Sequence, residues 1–238
     1  MGFLLNPNLP QNKVSLVLVN GKEKEVINAL KAFNISVLEV PECSYIEKGI
    51  SSHPDMNILY LGSGKYIGYE NILSDDFKFI PETIPTEPNY KKSTKLNCAL
   101  TNEFLIFNPK TASDKIPLEN RVIIETNQGY SKCSTLIIDK ESIITADDNI
   151  ELAALKKGLN VLKVSQSEIL LEGYSNGFIG GIGGKLDKSI LGICGELKYL
   201  KDKNKILDFC RNVGVYIESI TKGKIKDIGG VIPLKETD

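Results

Sequence analysis

Three stretches of the chain repeat one hydrophobic pattern: apolar residues at helical spacing, a Gly or Asn, then strict alternation. Glu23 to Phe33 carries Val26, Ile27, Leu30 and Phe33, stops at Asn34, and continues as Ile-Ser-Val-Leu-Glu-Val over 35–40. Asn149 to Lys157 carries Ile150, Leu152 and Leu155, stops at Gly158, and continues as Leu-Asn-Val-Leu-Lys-Val over 159–164. Lys203 to Val213 carries Ile206, Leu207, Phe209 and Cys210, stops at Gly214, and continues as Val-Tyr-Ile-Glu-Ser-Ile over 215–220. Gly and Asn tolerate the left-handed backbone that ends a helix, and period-two alternation marks a half-buried strand. Each stretch predicts an amphipathic helix feeding a strand.

Strand–turn–strand patterns recur between them. Residues 57–61 turn at 62–64 into 65–68, residues 98–101 turn near 102–103 into 104–107, and residues 133–138 turn at 139–141 into 142–145. Phe178-Ile-Gly-Gly leads through 185–188 to 189–193. Asp227-Ile-Gly-Gly-Val-Ile-Pro-Leu reads as the first strand of a fifth hairpin, whose missing half is Val14 to Val19 at the other end of the chain. First-strand starts at His53, Cys98, Cys133, Gly177 and Asp227 lie 35 to 50 residues apart. Units of that length cannot bury their own faces and must stack. The expected fold is therefore α/β, a single domain over 1–238, built as a short five-bladed ββαβ propeller closed by pairing the N- and C-terminal strands. The alternative is an open α/β sheet with irregular crossovers. Unit two offers little helix between Asn108 and Asn120, and Pro81 to Lys95 reads as a surface loop.

The composition is 42% hydrophobic and 25% charged, which excludes disordered and fibrous classes. Lys+Arg 29 against Asp+Glu 30 leaves a net charge of −1, without the cationic excess that nucleic acid or an anionic membrane demands. No apolar run reaches the length of a membrane span, and Met1 to Asn8 lacks the basic flank of a signal peptide. Five cysteines without a Cys-x-x-Cys pair, and a single histidine, indicate neither a disulfide framework nor a metal site. These features point to a cytoplasmic protein that needs no metal.

Few residues then remain for chemistry. His53-Pro-Asp55 opens the first hairpin; if the segment is extended, both side chains project to one side, as an imidazole working beside a carboxylate requires. A strand-leading cap is the structural alternative. Cys133 opens the third hairpin directly after Lys132, whose charge would lower the thiol pKa and favour the thiolate. A small buried apolar residue is the alternative there. The cluster Gly177-Phe-Ile-Gly-Gly-Ile-Gly-Gly-Lys185 fails the phosphate-loop pattern at Ile179 and at Leu186, so its glycines read as close backbone packing. Glu172 and Asp227 are the acids nearest first-strand starts.

His53-Pro-Asp55, Gly129-Tyr-Ser-Lys-Cys133, Gly177-Phe-Ile-Gly-Gly181 and Asp227-Ile-Gly-Gly230 together resemble an uncharacterised bacterial branch of the guanidine-modifying enzyme superfamily, the penteins. The resemblance covers nearly the whole chain. It implies a five-bladed ββαβ propeller and a cysteine that attacks a guanidinium carbon, with acid–base chemistry from a His-x-Asp motif. It also implies an acid that grips the guanidinium nitrogens. Carried onto this sequence, Cys133 is the nucleophile and His53 with Asp55 the acid–base pair. Asp227, Glu172 and Lys132 are the substrate-binding candidates. The expected partner is a small guanidino compound, with no cofactor. Pro54 and the position of Cys133 far from the C-terminus depart from the characterised enzymes. A non-catalytic binding or structural protein on the same fold is the rival reading.

Overall fold

The computed structural model describes residues 2–85, 93–165 and 168–238, and residues 86–92 of the 81–95 loop expectation lie outside them. Helix α1 (Lys24–Ala32) buries Val26, Ile27 and Leu30 and stops where Asn34 takes φ 60°. Helices over Asp148–Lys156 and Lys203–Asn212 stop at Gly158 and Gly214 with φ 86° and 73°. A Cβ on either glycine meets nothing within 4 Å, so the left-handed backbone alone demands glycine. Asp147 caps the second of these helices, its side chain accepting from the N–H groups of Asn149 and Ile150.

The strands form five small, separate sheets. In chain order β1 is Gly2–Phe3, β2 Val14–Asn20 and β3 Ser36–Val40, then β4 Ile58–Gly62, β5 Lys65–Gly68 and β6 Lys78–Pro81. Next come β7 Ala99–Leu100, β8 Phe104–Phe107, β9 Val122–Glu125, β10 Thr135–Ile137, β11 Ser142–Thr145 and β12 Asn160–Lys163. The last four are β13 Gly183–Lys185, β14 Ile190–Ile193, β15 Tyr216–Ser219 and β16 Ile232–Glu236. Every sheet has one plan, an antiparallel hairpin followed by a crossover to a parallel strand, as in β4-β5-β6 with Leu59 opposite Ile67 and Ile67 opposite Ile80. The fifth sheet pairs β16 with β2 across the two ends of the chain. The second has no helix between β8 and β9, as its sequence predicts.

No sheet buries its own faces. Five apolar clusters each lie between two successive units. Met56 and Leu59 meet Leu100 and Leu105, Phe104 and Ile106 meet Ile137 and Ile143, and Leu136 and Ile144 meet Ile182 and Leu191. Leu186 and Cys194 meet Val17 and Val231, and Leu18 and Leu234 return to Ile58 and Tyr60. Hydrogen bonds between the segments that lead into the first strands follow the same series: Asn97 Nδ2 to Asp55 O (3.1 Å), Lys132 N to Asn97 O (3.4 Å), Gly180 N to Cys133 O (2.7 Å), Ile228 N to Gly181 O (3.0 Å) and Asp55 N to Gly229 O (3.4 Å). These segments, not the strands, bring the candidate residues together.

Two expectations change here. The fourth hairpin begins at β13, and Ile179–Gly181 is a 3-10 turn, because this backbone turns to bond Cys133 O and Phe178 O. Residues 227–231 likewise precede β16, with Gly229 and Gly230 both at positive φ. Among the described residues no helix is long and apolar enough to cross a membrane.

Tyr60 ties the first unit to both ends of the chain. Its buried hydroxyl lies 2.9 Å from Leu4 O and 3.1 Å from Leu234 O, donates to these carbonyls, and accepts from Gly64 N at 3.1 Å. Tyr60→Phe strands the Gly64 N–H in a buried site and is expected to cost about 1–3 kcal/mol in urea unfolding, with an unchanged m-value.

Candidate active site

The His-Pro-Asp segment is not a strand. Pro54 presets the backbone for the first helical position, and Pro54–Asn57 forms the single-turn helix α2 with His53 as its N-cap. The turn is held from within, His53 O accepting from Met56 N (3.2 Å) and from Asn57 Nδ2 (2.9 Å). His53 is 2% exposed, and its Nδ1 lies 3.9 Å from Asp227 Oδ1. A Cβ on Gly229, whose φ is +78°, would stand 2.4 Å from His53 Cβ; that glycine lets the imidazole lie against the chain. Burial pushes the His53 pKa down, against the attraction of Asp227 for its protonated form, and so favours the neutral ring.

Asp55 enters the same centre from the other side of the helical turn. Its Oδ2 accepts from the Cys133 thiol at 3.1 Å, and its buried Oδ1 has no hydrogen-bond partner. Burial raises this carboxyl to about 7; Lys132 opposes the rise, and Asp227 adds to it.

Cys133, 3% exposed, sits in the turn before β10. Asn97 Oδ1 accepts from the N–H groups of Lys132 (2.8 Å) and Cys133 (3.1 Å), while its Nδ2 faces Cys133 Sγ at 3.0 Å. The thiol pKa stands well above its ordinary value, first from burial and then from the negative charges of Asp55 and Asp227; the Asn97 contact opposes them. The expectation that Lys132 lowers it is thus corrected. Lys132 turns its Nζ to Gly180 O (3.0 Å), and its charge acts on Asp55. Adjacency along the chain does not set adjacency of charged groups.

Asp227 is held by Phe178 N at Oδ2 (2.8 Å) and Gly229 N at Oδ1 (3.0 Å). A Cβ on Gly181 would overlap Asp227 Oδ1 at 1.8 Å, which explains one glycine of the cluster as room for this carboxylate. Glu172 is corrected as well. It is exposed and does not line the cavity, because its loop projects past Gly49 and presents backbone there.

His53, Cys133 and Asp227 line one cavity of about 300 Å³, with Ile50, Tyr130, Leu171 and Phe178 as apolar wall and Tyr174, Ser175 and Asn176 completing the lining. The Tyr130 and Phe178 rings stack at 5.8 Å. A larger cleft of about 490 Å³, lined by Lys140, Lys185 and Lys188, contains none of the candidate catalytic groups. Among the described residues no group of three His, Cys, Asp or Glu side chains is placed to hold a metal ion.

Asn97, beside Cys133, has no place in the sequence reading, and Tyr130 and Phe178, which line the cavity, stand in its motifs without a role. For Asn97 a signal exists: it precedes Cys98 as Lys132 precedes Cys133, the same place one unit earlier. What converges here is a cysteine thiol, an imidazole and two buried carboxyl groups at a small, partly apolar cavity.

A comparison with curated proteins gives no significant sequence match. Among solved structures, the chain is similar to an amidinotransferase of saxitoxin biosynthesis from Microseira wollei, at TM-score 0.59 and 9% identity over 94% of this chain and 92% of that one. It is similar to the inosamine-phosphate amidinotransferase of Streptomyces griseus, at TM-score 0.57 and 9% identity over 99% and 98%. It is also similar to an agmatine deiminase of C. jejuni solved with substrate bound, at TM-score 0.51 and 8% identity over 91% and 90%. At these identities the likeness is one of fold, the pentein fold of amidinotransferases and agmatine deiminase. In sequence, residues 18–232 match the family described as a family of unknown function (DUF6873), and the chain belongs to that family.

Proposed function

We propose that the chain is a guanidine-modifying enzyme on a closed five-bladed ββαβ propeller, with Cys133 as nucleophile. The observation that carries this reading is the contact of Cys133 Sγ with Asp55 Oδ2 at 3.1 Å, beside a cavity shared by Cys133, His53 and Asp227. A planar guanidinium placed there meets Asp55 and Asp227 as charge-assisted acceptors, and its cation counters the two charges that hold the thiol proton. The thiol proton passes to the imidazole of His53, and the thiolate adds to the guanidinium carbon. His53, once protonated, donates to the departing amine, which leaves an amidino group on sulfur. Water then releases it in a hydrolase and an amine accepts it in a transferase. The two amidinotransferases of like fold support transfer.

A non-catalytic binding module is favoured by one feature, the burial that raises the Cys133 thiol pKa. Chloroacetamidine, a cationic electrophile, separates the readings when compared with neutral iodoacetamide. The enzyme reading expects the amidine to alkylate Cys133 selectively, located by peptide mass spectrometry. It also expects at least about tenfold slower labelling in Asp227→Asn, the loss of one charge-assisted contact. Equal rates for the two reagents at Cys133, or none for either, would leave the binding module standing.

A further inference from the structure

The cavity that holds the candidate nucleophile is built to accept one end of a molecule as a cation and to refuse a carboxylate at the other. Its titratable lining consists of His53, Cys133 and Asp227 with the phenols of Tyr130 and Tyr174, and Asp55 accepts from the thiol behind them. No lysine or arginine lines it among the described residues. Lys132, whose charge reaches Asp55, is 8% exposed and its ammonium donates to Gly180 O; Lys22 and Lys226 act on His53 by charge without lining the cavity. Both arginines are committed elsewhere, Arg121 to Pro117 O and Arg211 to Asp208. At the rim the two loops that meet across Gly49 carry exposed Glu47 and Glu172 against exposed Lys48, and Tyr174 donates its hydroxyl to Glu47 Oε2 at 2.5 Å. The remaining lining is Ile50, Leu171 and the Tyr130–Phe178 ring pair, with Ser175 and Asn176 as neutral polar groups.

A substrate carboxylate entering this space would lose its hydration and face acids, without a donor fork to receive it. An alkyl or aryl chain would bury apolar area on the rings at no such cost. The volume of about 300 Å³ is at the small end of ligand sites, which limits the tail to a few carbons or one ring. We infer that the substrate is a small guanidinium compound without a carboxylate, its tail alkyl or aryl and packed on Tyr130 and Phe178. This rests on the guanidine reading of the site and adds the chemistry of the substrate's other end.

Calorimetric titration of the whole chain with butylguanidine, agmatine and arginine tests it. Agmatine and arginine differ only in the carboxylate. Butylguanidine and agmatine are expected to bind at least tenfold more tightly than arginine. In Asn176→Arg, which adds a cation at the exposed rim, the ratio of agmatine to arginine affinity should fall by at least threefold. Arginine binding as tightly as agmatine in the native chain overturns the inference, whatever the labelling experiment shows. Binding of butylguanidine and agmatine with the expected preference, but without selective amidine labelling at Cys133, keeps the recognition and removes the nucleophile. Failure of all three guanidines to bind removes both.

Discussion

Cys133→Ser is expected to abolish turnover of whichever guanidine binds best, by at least roughly 10⁴-fold in kcat, since loss of a covalent nucleophile elsewhere costs that much or more. The serine hydroxyl preserves the donor that Asp55 Oδ2 receives from the thiol at 3.1 Å, so the variant should melt within a few degrees of the native protein. Cys133→Ala removes that donor too. It leaves both oxygens of a buried carboxyl without a partner, since Oδ1 already lacks one, and should be less stable than the serine variant by about 1–3 kcal/mol. Single-turnover assays followed by mass spectrometry of the product read the activity, and urea unfolding reads the stability. Turnover within tenfold of native in Cys133→Ser would remove the sulfur from the mechanism. Equal stability of the two variants would mean that Asp55 finds another donor.

Asp55→Asn should change stability in opposite directions at the two ends of the pH scale. The carboxyl titrates at about 7 in the folded chain against an ordinary 3.8. Below 3.8 both states carry the proton and the residue contributes no pH dependence. Between 3.8 and 7 only the folded state keeps it, so folding stability falls as pH rises. Above 7 the buried charge costs the fold up to about 4 kcal/mol. Asparagine has no charge to bury, but its amide places N–H groups where Oδ1 has no acceptor, a cost of about 1–3 kcal/mol at every pH. Relative to native, the variant should be less stable at pH 4 and as stable or more so at pH 8, with a swing of about 4 kcal/mol between them. Urea unfolding at both pH values measures it, and a difference that does not move with pH would place Asp55 in a well-solvated or fully paired setting. Native guanidine affinity should rise through pH 7 as Asp55 ionises, and that rise should vanish in Asp55→Asn. An acid kept in an unfavourable place until a cation arrives trades stability for binding.

The architecture was largely written in local pattern. The helix stops at Asn34, Gly158 and Gly214 are backbone requirements of single residues, and each sits in the left-handed region. Alternation placed β3, β12 and β15 to within a residue at either end. The pairing of Val14–Asn20 with Ile232–Glu236 was legible because the C-terminal strand had no hairpin partner of its own. Errors fell on the lead-in segments. His53-Pro-Asp55 was read as extended from the rule for residues before proline, yet proline also starts helices, and here it stands at the first helical position. Phe178-Ile-Gly-Gly was read as a strand because its apolar and glycine content is ambiguous, and the need of Gly180 N to reach Cys133 O decided for a turn.

The chemistry divides in the same way. Residue type singled out only His53, the single histidine; Cys133, Asp55 and Asp227, among five cysteines and 30 acids, stood out by their places at the starts of units and in the quoted motifs. The state of those groups came from packing. Lys132 beside Cys133 in the chain suggested an activated thiol, but a side chain's electrostatic neighbours are set across the units, and Lys132 serves Asp55 and Gly180 O. Glu172 looked equal to Asp227 as an acid near a first-strand start; only the close approach at Gly181 and the exposed loop at Gly49 tell them apart. Asn97 had only its repeat position to mark it, because its role lies in contacts 35 to 42 residues away. Periodicity is a property of neighbours in the chain and could be read there. Burial, charge pairing and the refusal of a carboxylate arise where distant segments meet, and no stretch of sequence contains them.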